Sequence, residues 1–176
     1  MSRRVPLSPE SLSADSTKLY ELLNEGTDAS AIIVGVSYID ACLASLLAKR
    51  LRKSSVSEKL LDSRSGAVGS FGARSDLAYT LALIDKPMYQ ELVVLAELRN
   101  ETAHHHFELS FNSEAVLALC NKLKYVAGLK NGNTGGPLME DTWLARPRDR
   151  FTLTATMIVN RLLLTALDTI HVEQQA

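Results

Sequence analysis

The chain has little of what marks a secreted, membrane-spanning or nucleic-acid-coating protein. Two cysteines, Cys42 and Cys120, sit far apart in apolar periodic segments. No CxxC pair occurs, which excludes a disulfide framework or a zinc ribbon, and both read as reduced core residues. Only 5 prolines and 9 glycines are present, and they cluster, so long stretches are free to be helical. Neither sign of charge dominates: 19 Lys and Arg stand against 20 Asp and Glu, a formal net charge of -1. That balance removes any global electrostatic drive toward nucleic acid. No apolar run reaches the ~20 residues of a membrane span. The start, MSRRVPLSPE, has two arginines but no apolar segment behind them, unlike a signal peptide. A soluble, cytoplasmic protein is the expectation. Hydrophobic residues make up 46% and charged residues 22%, the balance of a globular chain with a sizeable core.

Residues 1–12 read as a polar, proline-containing flexible tail, and residues 13–172 as a single all-helical domain. Leu19, Leu22 and Leu23 suggest a short helix over 13–24 that stops at Gly26. A longer helix is predicted over 28–53, where Ile32, Val36, Ile39, Leu43, Leu46 and Leu47 recur at helical steps. Asp28 is its candidate N-cap, and Lys49, Arg50, Arg52 and Lys53 suit the negative end of its dipole. A short helix follows over 56–61. The stretch SRSGAVGSFGARSD then invites a phosphate-loop reading through Gly66, Gly69 and Gly72. No strand precedes it and no Gly-Lys-Ser/Thr follows, so it is read as a loop feeding a helix over 73–84. Leu77, Leu81 and Ile84 would form the apolar face of that helix. Pro87 opens the next helix, which carries Met88, Leu92, Leu95 and Leu98. Asn112 or Ser113 caps a helix reaching Val126. Gly128, Gly132, Gly135, Gly136 and Pro137 make 128–148 a long loop, with Trp143 expected to anchor it. The last helix, over 148–170, is apolar on most sides and so is either central or buried against a partner chain. The sum is an all-α, single-domain bundle of about six or seven helices.

The chemistry concentrates in LRNETAHHH, residues 98–106, which holds three of the 4 histidines. Adjacent helical residues point about 100° apart, so His104, His105 and His106 cannot converge on one ion, and no HExxH pairing is present. No metal and no cofactor is expected. Arg99 and His104, with Asn100 between them, match the Arg-x4-His spacing of HEPN-type ribonucleases. A histidine could move the ribose 2′-hydroxyl proton while an arginine holds the developing phosphoryl charge. Yet five helical positions rotate by about 140°, so Arg99 and His104 share no face unless the helix ends near Ala103 or a second chain completes the site. The competing reading is structural. Asn100 and His104, four apart, bond each other or the backbone at the helix end, and Arg99 pairs with Asp40 or Asp76. His105 and His106 would then face solvent.

The segments AIIVGVSYIDACLASLLAKRL, GSFGARSDLAYTLALID, LAELRNETAH and ELSF together resemble the mannitol operon repressor family. The matching residues are Asp40, Gly69, Phe71, Arg74, Leu77, Tyr79, Leu81, Tyr89, Arg99, Asn100, Ala103 and His104, over about residues 13–125. Two departures stand out. Thr102 occupies a position where relatives commonly carry an aromatic, and Ala82 replaces the usual glycine of a Leu-Gly step. The resemblance implies an all-helical fold and a role in repressing sugar-alcohol uptake. It brings no DNA-reading helix, and none is legible here. The expectation is therefore a non-enzymatic regulator that acts through a protein partner, with a homodimer through the C-terminal helix. Its polar motif would comprise Arg99, Asn100, His104, Asp40, Arg74 and Asp76. The alternative is a metal-independent ribonuclease using Arg99, Asn100 and His104, for which RNA is the partner. Direct DNA binding through the basic stretches at 49–53 and 146–150 ranks third.

Overall fold

The computed structural model describes residues 6–104, 109–139 and 141–169; of Ala103, His104 and Asp141 the backbone alone is described. The chain is all-α. Its elements are α1 (Pro9–Glu25), α2 (Asp28–Arg50), α3 (Ser55–Leu61), α4 (Phe71–Thr80), α5 (Lys86–His104), α6 (Glu114–Cys120), α7 (Tyr125–Gly128), α8 (Asp141–Leu144) and α9 (Pro147–Asp168). Apart from α7 and α8, which are single turns, this is the expected bundle. Among the described residues the sole β-type pairing is an isolated bridge between Lys130 and Pro137.

Helices α2 and α9 form the centre. α2 packs against α1, α3, α4, α5 and α9, and α9 against α1, α2, α6, α7 and α8. Ile32, Val36, Ile39, Leu43, Leu46 and Leu47 of α2 are fully buried, as are Phe151, Ala155, Ile158 and Val159 of α9. Both helices are long and apolar enough to cross a bilayer by length and composition. Small and weakly polar residues interrupt every apolar run in them. In this chain the apolarity is turned into the bundle core, and 61% of the most apolar part of α2 is buried. Cys42 and Cys120 are buried thiols, each pushed up to about 12 chiefly by desolvation, which keeps them unreactive.

Several element ends differ from the sequence expectation, each for a local reason. α1 starts at Pro9, inside the expected tail: Ser8 accepts from the Ser11 N–H, proline opens the helix, and Leu12 is buried. Thr27, not Asp28, caps α2. α4 begins at Phe71 behind Ser70 and stops at Thr80. The stop is a Schellman-type turn, with the Leu83 N–H donating to Ala78 and the Ala82 N–H to Tyr79, and with Ala82 at φ 54. A glycine would fit that left-handed position without strain. Because the helix ends early, Leu81 is exposed, and the buried residues of α4 are Phe71, Arg74, Ser75 and Ala78.

The single helix expected up to Val126 is instead α6 and α7, separated by a turn. Trp143 does not anchor the long loop. It is 60% exposed, while its neighbour Leu144 is buried.

The glycine-rich stretch before α4 has a packing explanation. A side chain at Gly66 would sit 2.3 Å from the Leu60 carbonyl oxygen, and one at Gly69 2.4 Å from that of Asp62. The loop folds tightly under the end of α3, with the Val68 N–H donating to Leu60 at 2.9 Å.

Candidate functional site

The polar residues singled out from the sequence gather around α4 and α5, where Arg74–Asp40 and Asp76–Tyr89 form separate pairs. Arg74, one turn into α4, is 4% exposed. Its guanidinium donates to Asp40 Oδ1 on α2 at 2.7 Å, to the Leu61 carbonyl at 2.9 Å and to the Val68 carbonyl at 3.2 Å. One side chain thus ties α2, the end of α3 and the glycine loop to the start of α4. Asp76 lies on the exposed side of α4 and accepts from the Tyr89 hydroxyl at 2.8 Å. Tyr89 stacks on Tyr79, with ring centroids 4.8 Å apart and planes 22° apart. The hydrogen bond to Asp76, first, and that group's charge raise the Tyr89 pKa.

Both carboxylates expected beneath Arg99 are therefore engaged elsewhere. Arg99 is half-buried, and its guanidinium carbon lies 5.7 Å from the centroid of the Phe71 ring. The pairing of Arg99 with Asp40 or Asp76 is corrected accordingly: Phe71, the first residue of α4, takes the place of a carboxylate. Asn100 is exposed, and α5 continues through His104. Positions 99 and 104 consequently stand about 140° apart around one helix. An arginine–histidine pair within a single chain would need a helix that ends sooner. The side chain of His104, and all of His105 and His106, lie outside the described residues. Thr102 is buried and donates to the Leu98 carbonyl at 2.7 Å, so its hydroxyl is satisfied within α5. Among the described residues no group of three or more His, Cys, Asp or Glu side chains could hold a metal ion.

Two further constellations were missed from the sequence. Asp28 and Arg148 form a clasp. Arg148 donates to Asp28 Oδ1 at 3.0 Å, to the Leu23 carbonyl at 3.1 Å and to the Gly26 carbonyl, and lies over the Phe111 ring. Asp28 Oδ2 accepts from the Phe111 N–H at 2.9 Å and from the Ser110 hydroxyl at 3.1 Å. The clasp joins α1, α2 and α9 and pins the chain shortly after the histidine stretch. A signal was present: an arginine in the first turn of a helix opposes the helix dipole, so it needs acceptors of its own. The second is Glu91 on α5, 5% exposed, whose Oε1 accepts from the Lys124 and Tyr125 N–H groups at 2.6 and 2.7 Å. It holds the turn that separates α6 from α7 and borders a cleft of about 280 Å³ that Asp85, Gln90, Lys124 and Tyr125 also line. Burial is the largest influence on its carboxyl and raises the pKa, against the two backbone hydrogen bonds.

Comparison with known proteins places these features. The chain is 29% identical over 126 residues to the mannitol operon repressor of Escherichia coli K12, covering 68% of this chain and 64% of the relative. The same figures hold for the mannitol operon repressor of E. coli O6:H1. The alignment therefore spans a little under two thirds of those relatives. The fold matches the X-ray structure of the MtlR–HPr complex from E. coli with a TM-score of 0.64 at 24% identity, covering 85% of this chain and 98% of that one. The model of the mannitol repressor family matches residues 15–171. From the middle of α1 through the end of α9 the match is continuous, and the chain belongs to the mannitol repressor family.

Proposed function

We propose that the chain is a cytoplasmic, non-enzymatic transcriptional regulator that acts through a protein partner and does not itself read DNA. The observation that carries this reading is the fate of the arginines at 148 and 150 and of Arg74. In the 146–150 stretch Arg148 is folded onto Leu23, Gly26 and Asp28, and Arg150 donates to the Leu144 carbonyl at 2.8 Å. Arg146 is exposed with Asp149 at 3.8 Å. Arg74, beside the glycine-rich loop, is committed to Asp40. Phosphate binding needs such groups free to displace counterions, and the formal net charge of -1 adds no general attraction. A relative of the same fold is known in complex with HPr, and HPr is the partner inferred here. On this reading Arg99, resting on Phe71, serves the packing of α4 against α5, and Arg99, Asn100 and His104 carry no reaction.

Isothermal titration with purified HPr, alongside gel retention with operator-containing DNA, tests the reading. Saturable heat with HPr is expected, with no retained DNA even at about 20 mM salt. DNA retention that falls steeply with salt would refute it. So would the absence of HPr binding combined with unchanged transcription when the gene is deleted.

A further inference from the structure

We propose that α9 carries a self-association face whose occupant is a second copy of this chain, docked antiparallel. The proposal is independent of the regulatory reading above. α9 directs Phe151, Ala155, Ile158, Val159, Leu162 and Ala166 into the core, yet its opposite side is not polar. Leu153, Met157, Asn160, Leu164 and Leu167 follow one another at alternating steps of four and three residues. That repeat of 3.5 keeps a seam facing a neighbouring helix. The first two are half-buried, but beyond Asn160 the seam is open: Leu164 is 58% and Leu167 46% exposed. Asn160 is already oriented, accepting from the Tyr20 hydroxyl of α1 at 2.6 Å.

The charges beside the seam select the occupant. Arg161 and Asp168 flank it on one side, three residues before and four after Leu164, and both are exposed. A copy related by a twofold axis at Leu164 brings Arg161 of each chain level with Asp168 of the other, to within about 1.5 Å along the axis. Two opposite-charge pairs then close over the leucines. A parallel copy would set the same residues beside Thr156 and Leu163 of the second chain, where neither meets an opposite charge. The open seam spans only the last turns of α9. The resulting dimer is weak and concentration-dependent, with Kd on the order of 10–100 µM, in contrast to an obligate one.

Sedimentation velocity on the full chain between about 1 and 300 µM is expected to show a monomer–dimer equilibrium. Leu164→Glu, at an exposed position that leaves the core intact, should weaken it at least ~tenfold. Arg161→Asp and Asp168→Arg should each weaken it roughly tenfold, and the double reversal should return Kd to within ~threefold of the parent. Unchanged melting curves verify that each variant is folded. A monomer across the whole range overturns the proposal, as does a dimer indifferent to Leu164→Glu. Reversals whose losses simply add in the double variant overturn the antiparallel register.

Discussion

Arg74→Met tests whether the buried guanidinium is what fixes the start of α4. The methionine keeps most of the side-chain volume, so the change reports on charge and hydrogen bonding more than on a cavity. It removes the donors to Asp40, Leu61 and Val68. Those bonds sit at a site only 4% exposed, so water does not replace them freely. Asp40, with 23% of its side chain accessible, recovers part of its loss by hydration, whereas the two carbonyls lose a charged donor. Breaking one side of a buried ion pair costs about 3–5 kcal/mol. For a chain of this size each kcal/mol lowers the melting temperature by about 2–4 °C, so a fall on the order of 10 °C is expected. Urea unfolding followed by far-ultraviolet circular dichroism should show the midpoint move with little change in slope. A loss below about 1 kcal/mol for Arg74→Met would refute the reasoning, because it would place the pair in the class of solvent-screened surface bridges.

Four other outcomes follow from the geometry. Ala82→Gly should stabilise the fold by about 1 kcal/mol, since it relieves a left-handed alanine in the turn that ends α4; a lower melting temperature would contradict that. Glu91 has its folded pKa raised above 4.5 by burial, so the folded state holds the proton more tightly than the unfolded chain does. Its contribution to stability is complete below the unfolded pKa and is lost as pH rises through the folded value. Melting curves of Glu91→Gln against the parent should therefore favour the variant increasingly as pH climbs past about 4.5; a gap independent of pH would contradict this. Trp143→Ala should change stability by no more than about 0.5 kcal/mol, and the emission of this single tryptophan should be quenched readily by acrylamide. Finally, RNA incubated with the protein should stay intact, and 2′,3′-cyclic phosphate ends that vanish in His104→Ala would restore the ribonuclease reading.

The helical class, the core faces of α2 and α5 and the order of the elements were legible in the sequence because they depend on periodicity alone. Met88, Leu92, Leu95 and Leu98 are all buried, as their spacing requires. Element ends were less legible where the decisive group lay far away in sequence. The break between α6 and α7 depends on Glu91, more than thirty residues earlier, and no local pattern announces it. The end of α4 depends on an alanine in a conformation that only glycine advertises. The site was harder still. Charge type showed that Arg99 needed a partner, but not that Asp40 would serve Arg74 while Arg99 rested on Phe71. Those choices follow from how α4 lies across α5, a tertiary fact. Asp28 was read as a cap because of its position, whereas Thr27 caps the helix and Asp28 instead receives Arg148.

The clasp between Asp28 and Arg148 also constrains the order in which the protein can be assembled during synthesis. Arg148 reaches back 120 positions to Asp28 and 125 to Leu23, and the helix that follows supplies the wall against which α1 and α2 close. Until residues 147–168 have left the ribosome, the apolar sides of the first two helices have no lasting cover. Such late, long-range closure slows folding and leaves a nascent chain open to aggregation or to capture by chaperones. A chain terminated ahead of Pro147 would therefore be a client of the cell's quality control and not a smaller working version of the protein.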